Sequence, residues 1–215
     1  MKNLLYKEFL LAAHPTTYLF PGLSAMVLIP NYPYYITFFY TTLSLFFICL
    51  SGRENHDIAY TALLPVKKRD LVTARFLLAI LTEFAQILLV VLFILLRIAL
   101  RYPGNLVGMD ANIAFLGISL LLLGLFNLIF FTCYYRNPKK IGAPFLAGTL
   151  VFTFAMLAAE AAVHALPFAR EVLDTPDPLF FQQKLIVLAA GLALFFLLTG
   201  VSYRLSVRSF ESLDL

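Results

Sequence analysis

The chain has 215 residues, 61% of them hydrophobic and 13% charged, with a mean hydropathy of +0.88 and a net charge of +4. About a quarter of the residues of a soluble domain are charged, so this composition excludes an ordinary soluble domain and marks a membrane protein resident in the lipid bilayer. The positive charge does not imply nucleic acid as a partner, because the basic residues recur in short loops between apolar runs rather than on one face.

The N-terminal stretch 1–14 sets Leu5, Phe9 and Ala12 on one side of a helix and Lys2 and Lys7 away from it, and stops at Pro15. This predicts an amphipathic helix lying in the headgroup region, with a cytoplasmic extension of the first membrane helix as the other reading. Lys7 and Glu8 break the early apolar residues, so no cleavable signal peptide is expected. A first membrane segment is predicted over 16–30, although it is short for a core needing roughly 20 helical residues and contains Pro21. Asn31, Tyr32 and Pro33 turn the chain, and 34–51 returns as the second segment. Cys49 lies in this run and Cys133 in a later one, where thiols pack as small hydrophobes; no disulfide is expected.

The stretch from Arg53 to Arg75, which contains the loop 53–70, is rich in charged residues and sits between two strongly apolar segments. Ile58, Ala59, Ala62 and Leu63 have helical spacing, which predicts a short amphipathic helix from Glu54 to Leu64, ended by Pro65. Lys67, Lys68 and Arg69 follow, and Asp70 is placed to cap a helix starting at Leu71.

A third segment is predicted over 72–97 despite Glu83. Between Phe76 and Leu96 there are 16 Leu, Ile, Val or Phe residues. At about −0.3 to −0.6 kcal/mol each, these outweigh the roughly +3 kcal/mol of one carboxylate. A fourth segment, 113–134, leads to the basic turn Arg136-Asn137-Pro138-Lys139-Lys140, and a fifth covers 142–166. An external loop, 167–184, with the turn signal Asp174-Thr175-Pro176-Asp177-Pro178, precedes a sixth segment over 185–203 and a basic tail. With the N-terminus inside, Lys2, Lys7, Arg53, Lys67, Lys68, Arg69, Arg75, Arg136, Lys139, Lys140, Arg204 and Arg208 are cytoplasmic. Only Arg97, Arg101, Arg170 and Lys184 fall outside, a clear positive-inside bias with both termini cytoplasmic. The fold class expected is all-α, with six transmembrane helices in one domain, 1–215.

Glu54, Asn55 and Asp57, then Leu64-Pro65-Val66-Lys67-Lys68, then Asp70, Val72 and Arg75, resemble the first cytoplasmic loop of type-2 permeases of ATP-binding cassette (ABC) transporters. The likeness extends over the whole chain, and within the family it is most similar to small permeases of peptide exporters such as the phenol-soluble-modulin exporter. The resemblance implies a coupling helix that docks on a separate ATPase, through Glu54, Asn55, Asp57, Ile58, Leu63, Leu64, Pro65, Lys67, Lys68 and Arg69. It further implies two ATPase copies, a second permease subunit, identical or homologous, and a bacterial plasma membrane. ATP and magnesium would sit on the partner, with no cofactor in this chain.

No phosphate-binding Gly-x-x-x-x-Gly-Lys-[Ser/Thr] loop occurs and no Gly-Lys pair exists, so ATP hydrolysis is expected from a partner chain and not from this one. Glu83, Gln86 and Arg97 fall near one helical face, and Thr149, Thr153, Glu160 and His164 repeat the theme. Ionisable groups within the membrane face a wet cavity or the bundle interior, so Glu83, Gln86, Thr149, Thr153, Glu160 and His164 are candidates for a substrate path. An interhelical polar clasp is the competing reading. Glu160 and His164 alone do not make a metal site, which needs three or four ligands, and no catalytic residues are assigned. A non-transporting sensor or assembly factor, and then an intramembrane hydrolase, are the alternative functions.

Overall fold

A computed structural model describes residues 2–213, with every side chain except that of Ala62; Met1, Asp214 and Leu215 of the single domain expected over the chain lie outside the described residues. Its α-helices are α1 (Lys2–Lys7), α2 (Pro15–Leu19), α3 (Ile36–Glu54), α4 (Asp57–Ala62), α5 (Lys68–Ala99), α6 (Ile113–Tyr134), α7 (Gly142–Ala165) and α8 (Phe181–Glu211). Short π-helical turns cover Glu8–Ala12 and Ala169–Leu173, and a 3₁₀ helix covers Phe20–Leu28. The described residues are 78% helical with no strand, so the all-α class holds.

Five helices, α3, α5, α6, α7 and α8, are long and apolar enough to cross a membrane. The expected first segment, 16–30, is not among them. Pro21 has no N–H to donate and its ring crowds the preceding turn, and the five-residue α2 gives way there to the tighter 3₁₀ winding.

The elbow also differs from expectation at both ends. α3 runs on through Arg53 and Glu54, so the elbow helix α4 begins only at Asp57 and has six residues. Between them His56 adopts the left-handed conformation, φ 51° and ψ 31°, which breaks the helix and redirects the chain. Downstream, the N-cap of α5 is the extended Lys67 rather than Asp70; Asp70 lies in the first turn, where its charge suits the helix dipole.

α6 is the most deeply covered of the five and packs most extensively on α8. Lipid tails are as apolar as leucine, so close backbone approach rather than hydrophobic burial drives such contacts. A methyl group on Gly191 would overlap the Gly117 carbonyl, and one on Gly117 would press on the Val187–Leu188 backbone. Phe115, Phe126, Phe130 and Phe131 of α6 then reach α3, α5 and α7, with ring centroids 4.6 Å apart for Phe76 and Phe131.

The N-terminal stretch runs beside α5. Glu8 meets Arg75, the Gln86 amide donates to Ser24 Oγ at 2.8 Å, and Arg97 donates to the Val27 carbonyl at 3.0 Å. Arg75 and Arg97 are about 33 Å apart along the helix at 1.5 Å per residue, close to the ~30 Å of a bilayer core.

Candidate functional site

At the end of the bundle that carries the basic turns, three chain segments converge on Arg75, which is buried near the start of α5. Its Nε donates to the Glu8 carboxylate from the N-terminal π turn, and its Nη2 donates to Asp57, the first residue of α4. Lys7 completes the cluster, with its Nζ 2.8 Å from Glu8 and 3.6 Å from Asp57. Gly52 of α3 makes room, because a Cβ there would lie 2.8 Å from Arg75 Nη2. Burial alone would push the Glu8 carboxyl up, but Arg75 and Lys7 hold it below the ordinary carboxylate value. The expected stripe of the N-terminal helix is thereby revised. Glu8 and Ala12 face the protein, while Phe9, with Tyr6 and Leu10, faces outward.

The residues expected to couple to an ATPase separate into two groups. Asp57 is turned inward onto Arg75 and is 1% exposed, and Asn55 donates from Nδ2 to the Leu11 carbonyl at 2.7 Å. Lys68 donates to the carbonyls of Glu211 and Leu213, fastening the tail, and Arg69 donates to the Tyr203 hydroxyl at 3.1 Å. Glu54, Pro65 and Lys67 are exposed, and Ile58 is half-buried. Beside these, large apolar side chains stand out from α4 and the turn after it: Leu63 is 83% exposed, Tyr60 67% and Leu64 56%. Together with the turn at Arg136–Lys139, the elbow lines an open groove. Sequence reasoning noted Lys7 and Glu8 only as a break in the early apolar residues and did not assign them to the site; a carboxylate next to the apolar run Phe9–Ala13 was the available signal.

An elbow of this kind, tied to a long membrane helix, sits in a chain of which residues 3–211 match the model of a family described as ABC-2 family transporter protein. The chain belongs to the ABC-2 transporter family. Neither the curated proteins nor the solved structures contain a match. ABC-2 membership makes the chain a membrane transport component that generally lacks its own ATPase site and works with an ABC ATPase partner.

Within the ABC-2 bundle the two expected polar stripes do not meet. Glu83 Oε2 accepts from Asn127 Nδ2 of α6 at 3.1 Å, and Asn127 Nδ2 also reaches Thr199 of α8 at 3.2 Å. Gln86 and Arg97 turn instead toward the 3₁₀ helix, and Arg97 also bonds the Tyr34 hydroxyl. On α7, Thr149 and Thr153 are half-buried. Glu160 accepts the Met109 N–H at 3.0 Å, and His164 lies 3.1 Å from the Val107 carbonyl.

The far end of the bundle is held by acids acting on backbone. Besides Glu160 on Met109, Asp174 Oδ1 accepts the Asp110 N–H at 2.7 Å, and Asp177 Oδ1 accepts the Ile113 N–H at 3.0 Å. Glu160 thus fastens the connection between α5 and α6 to α7 itself, while Asp174 and Asp177 fasten that connection and the start of α6 to the connection between α7 and α8. Burial pushes the Asp174 carboxyl above its ordinary value, and the neighbouring Asp110 charge adds to this while the Asp110 N–H opposes it. Arg97 lies 3.4 Å from Asp110, and the buried Lys184 donates to the carbonyls of Thr175 and Pro176.

Proposed function

We propose that this chain is the permease subunit of an ABC exporter that moves an amphipathic or hydrophobic substrate, with peptide as the leading class, out of the cell across the plasma membrane. Two copies of the ATPase and a second permease subunit complete the assembly. The basic end is cytoplasmic, and the elbow α4 is the coupling helix. One observation carries this reading: an exposed apolar elbow is joined through Asp57 and Arg75 to the start of the 32-residue α5. Nucleotide-driven movement of the ATPase would displace α4, and the ion pair would pass that displacement to α5.

The parallel course of the N-terminal stretch and α5 supports a sixth crossing over 16–30. A 3₁₀ helix rises about 2.0 Å per residue against 1.5 Å in an α-helix, so a short segment reaches further in that form. The substrate path is proposed along α7, the least covered of the five long helices, whose Thr149 and Thr153 alternate with exposed Leu146, Leu150 and Phe154. Glu83 and Gln86, each bonded to another element of the same chain, fit the packing clasp better than a path lining.

Copurification with the ATPase, followed by ATPase assays in the presence of candidate substrates, tests the assignment. Ile58→Ala with Leu63→Ala is expected to weaken the complex, because apolar anchors dominate interfaces. Glu54→Ala is expected to preserve the complex while lowering transport per ATP, because rim charges set register more than affinity. Labelling of a cysteine at Asn55 from outside the cell would overturn the orientation and the elbow assignment together.

A further inference from the structure

The groove beside the elbow carries a charge pattern that the coupling-helix reading alone does not require. One wall is the end of α3 and α4, with Arg53, Tyr60 and Leu63; the other is the turn between α6 and α7, with Arg136 and Lys139. The C-terminal stretch closes it at Leu213, whose carbonyl Lys68 holds. Arg53 Nη1 lies 3.5 Å from the Lys139 carbonyl, bridging the two walls. Among the described residues, the acid lining the groove is Asp57, which is already engaged by Arg75 and Lys7 inside the protein. What the groove offers a partner is therefore cationic and apolar.

We propose that this groove is a two-walled receptor for an acidic, apolar-tipped surface of the partner ATPase, which contacts the α6–α7 turn as well as the elbow. The inference rests on the permease reading above and adds the partner's chemistry to it. A flat anionic membrane surface also attracts basic loops. Here, however, three separate segments form a concave site with an exposed aromatic and an exposed leucine, a shape that receives a protruding side chain. Carboxylates on that protrusion would meet Arg136 and Lys139 while an apolar side chain lies against Tyr60 and Leu63. Charge would thus fix the register of docking, and apolar contact its strength.

The test uses the full-length chain purified in detergent with the ATPase that copurifies with it, comparing Arg136→Gln/Lys139→Gln, Arg136→Glu/Lys139→Glu and Leu63→Ala. ATPase recovery with the reversed pair should fall about tenfold or more, and recovery with the neutral pair should fall less and lose its dependence on salt concentration. An acid-to-lysine change on the ATPase that rescues the reversed pair would support the proposal directly. Cysteine labelling at Asn137 confirms that the variants keep their topology, and the neutral pair remains informative if the reversed pair does not insert. If Leu63→Ala loses the ATPase while both charge variants keep it with unchanged salt dependence, the acidic-partner proposal falls and the docking reading stands. If the charge variants keep the ATPase but lose binding to phosphatidylglycerol vesicles, the groove is a lipid site and the proposal falls. If the unaltered chain recovers no ATPase, both readings fall.

Discussion

The two ends of the bundle are fastened by opposite chemistry. At the basic end charged side chains bind one another, with Arg75 between Glu8 and Asp57 and Lys7 beside both. At the far end Glu160, Asp174 and Asp177 chiefly hold backbone N–H groups. A buried ion cluster depends on every member, because losing one leaves an uncompensated charge in a poorly solvating place. A carboxylate on an amide loses less when broken, since the group left behind is neutral. The first arrangement ties three specific elements into one unit, whereas the second closes a loop that can open at lower cost.

The largest effect separating the two ends is expected from Arg75→Met, which strands two buried carboxylates and should cost about 3–5 kcal/mol. A thermal unfolding series in detergent checks this. Adding Glu8→Met and Asp57→Leu to the same chain should recover most of the loss, because a packed apolar replacement of an ion cluster is often neutral. If the triple variant is as unstable as the single one, the charges are not what holds these elements together.

A smaller effect is expected from Gly108→Ala at the far end. A methyl group there overlaps the Glu160 carboxylate, so Glu160 must leave the Met109 N–H, at a cost of about 1–3 kcal/mol. Combined with Glu160→Ala, the two losses should sum to well over that of the double variant, since both break the same contact. Additive losses would show that the glycine matters for another reason.

The smallest effect is a difference in the sign of the pH response. The folded Glu8 value is depressed, so its contribution is present above the ordinary carboxylate range and is lost as pH falls through the folded value. The Asp174 value is raised, so its contribution is present in acid and is lost as pH rises through the folded value. Glu8→Gln should flatten the acid limb of the stability profile. Asp174→Asn should flatten the opposing slope, by about 1 kcal/mol or less because the group is half-buried. Profiles that shift in the same direction for both variants would remove the contrast.

Much of the helical architecture is legible in the sequence because hydropathy reports where lipid touches a helix. It is poor at helix ends. Arg53 and Glu54 prolong α3 because charged residues are good helix formers outside the lipid, and the break falls at His56, whose left-handed backbone has no compositional signature. The expected first segment, 16–30, is not among the five long apolar helices for a related reason, since the stretch that holds Pro21 is wound as a 3₁₀ helix. For the site, the exposed Leu63 follows from helical spacing, but the inward turn of Asp57 does not. Its partners, Lys7 and Arg75, are 50 and 18 positions away, and single-sequence periodicity holds no information about such pairings.

The glycine seam between α6 and α8 has a mechanical consequence. With the Gly117 carbonyl lying where a Gly191 side chain would be, neither helix can slide or roll past the other without a backbone collision. Close-packed interfaces of this kind move as rigid bodies. For the permease proposed above, the α6–α8 pair would serve as the fixed frame, and the travel that changes the accessibility of a transport path would fall to the parts hung on either side of it, α5 with the N-terminal stretch and α7.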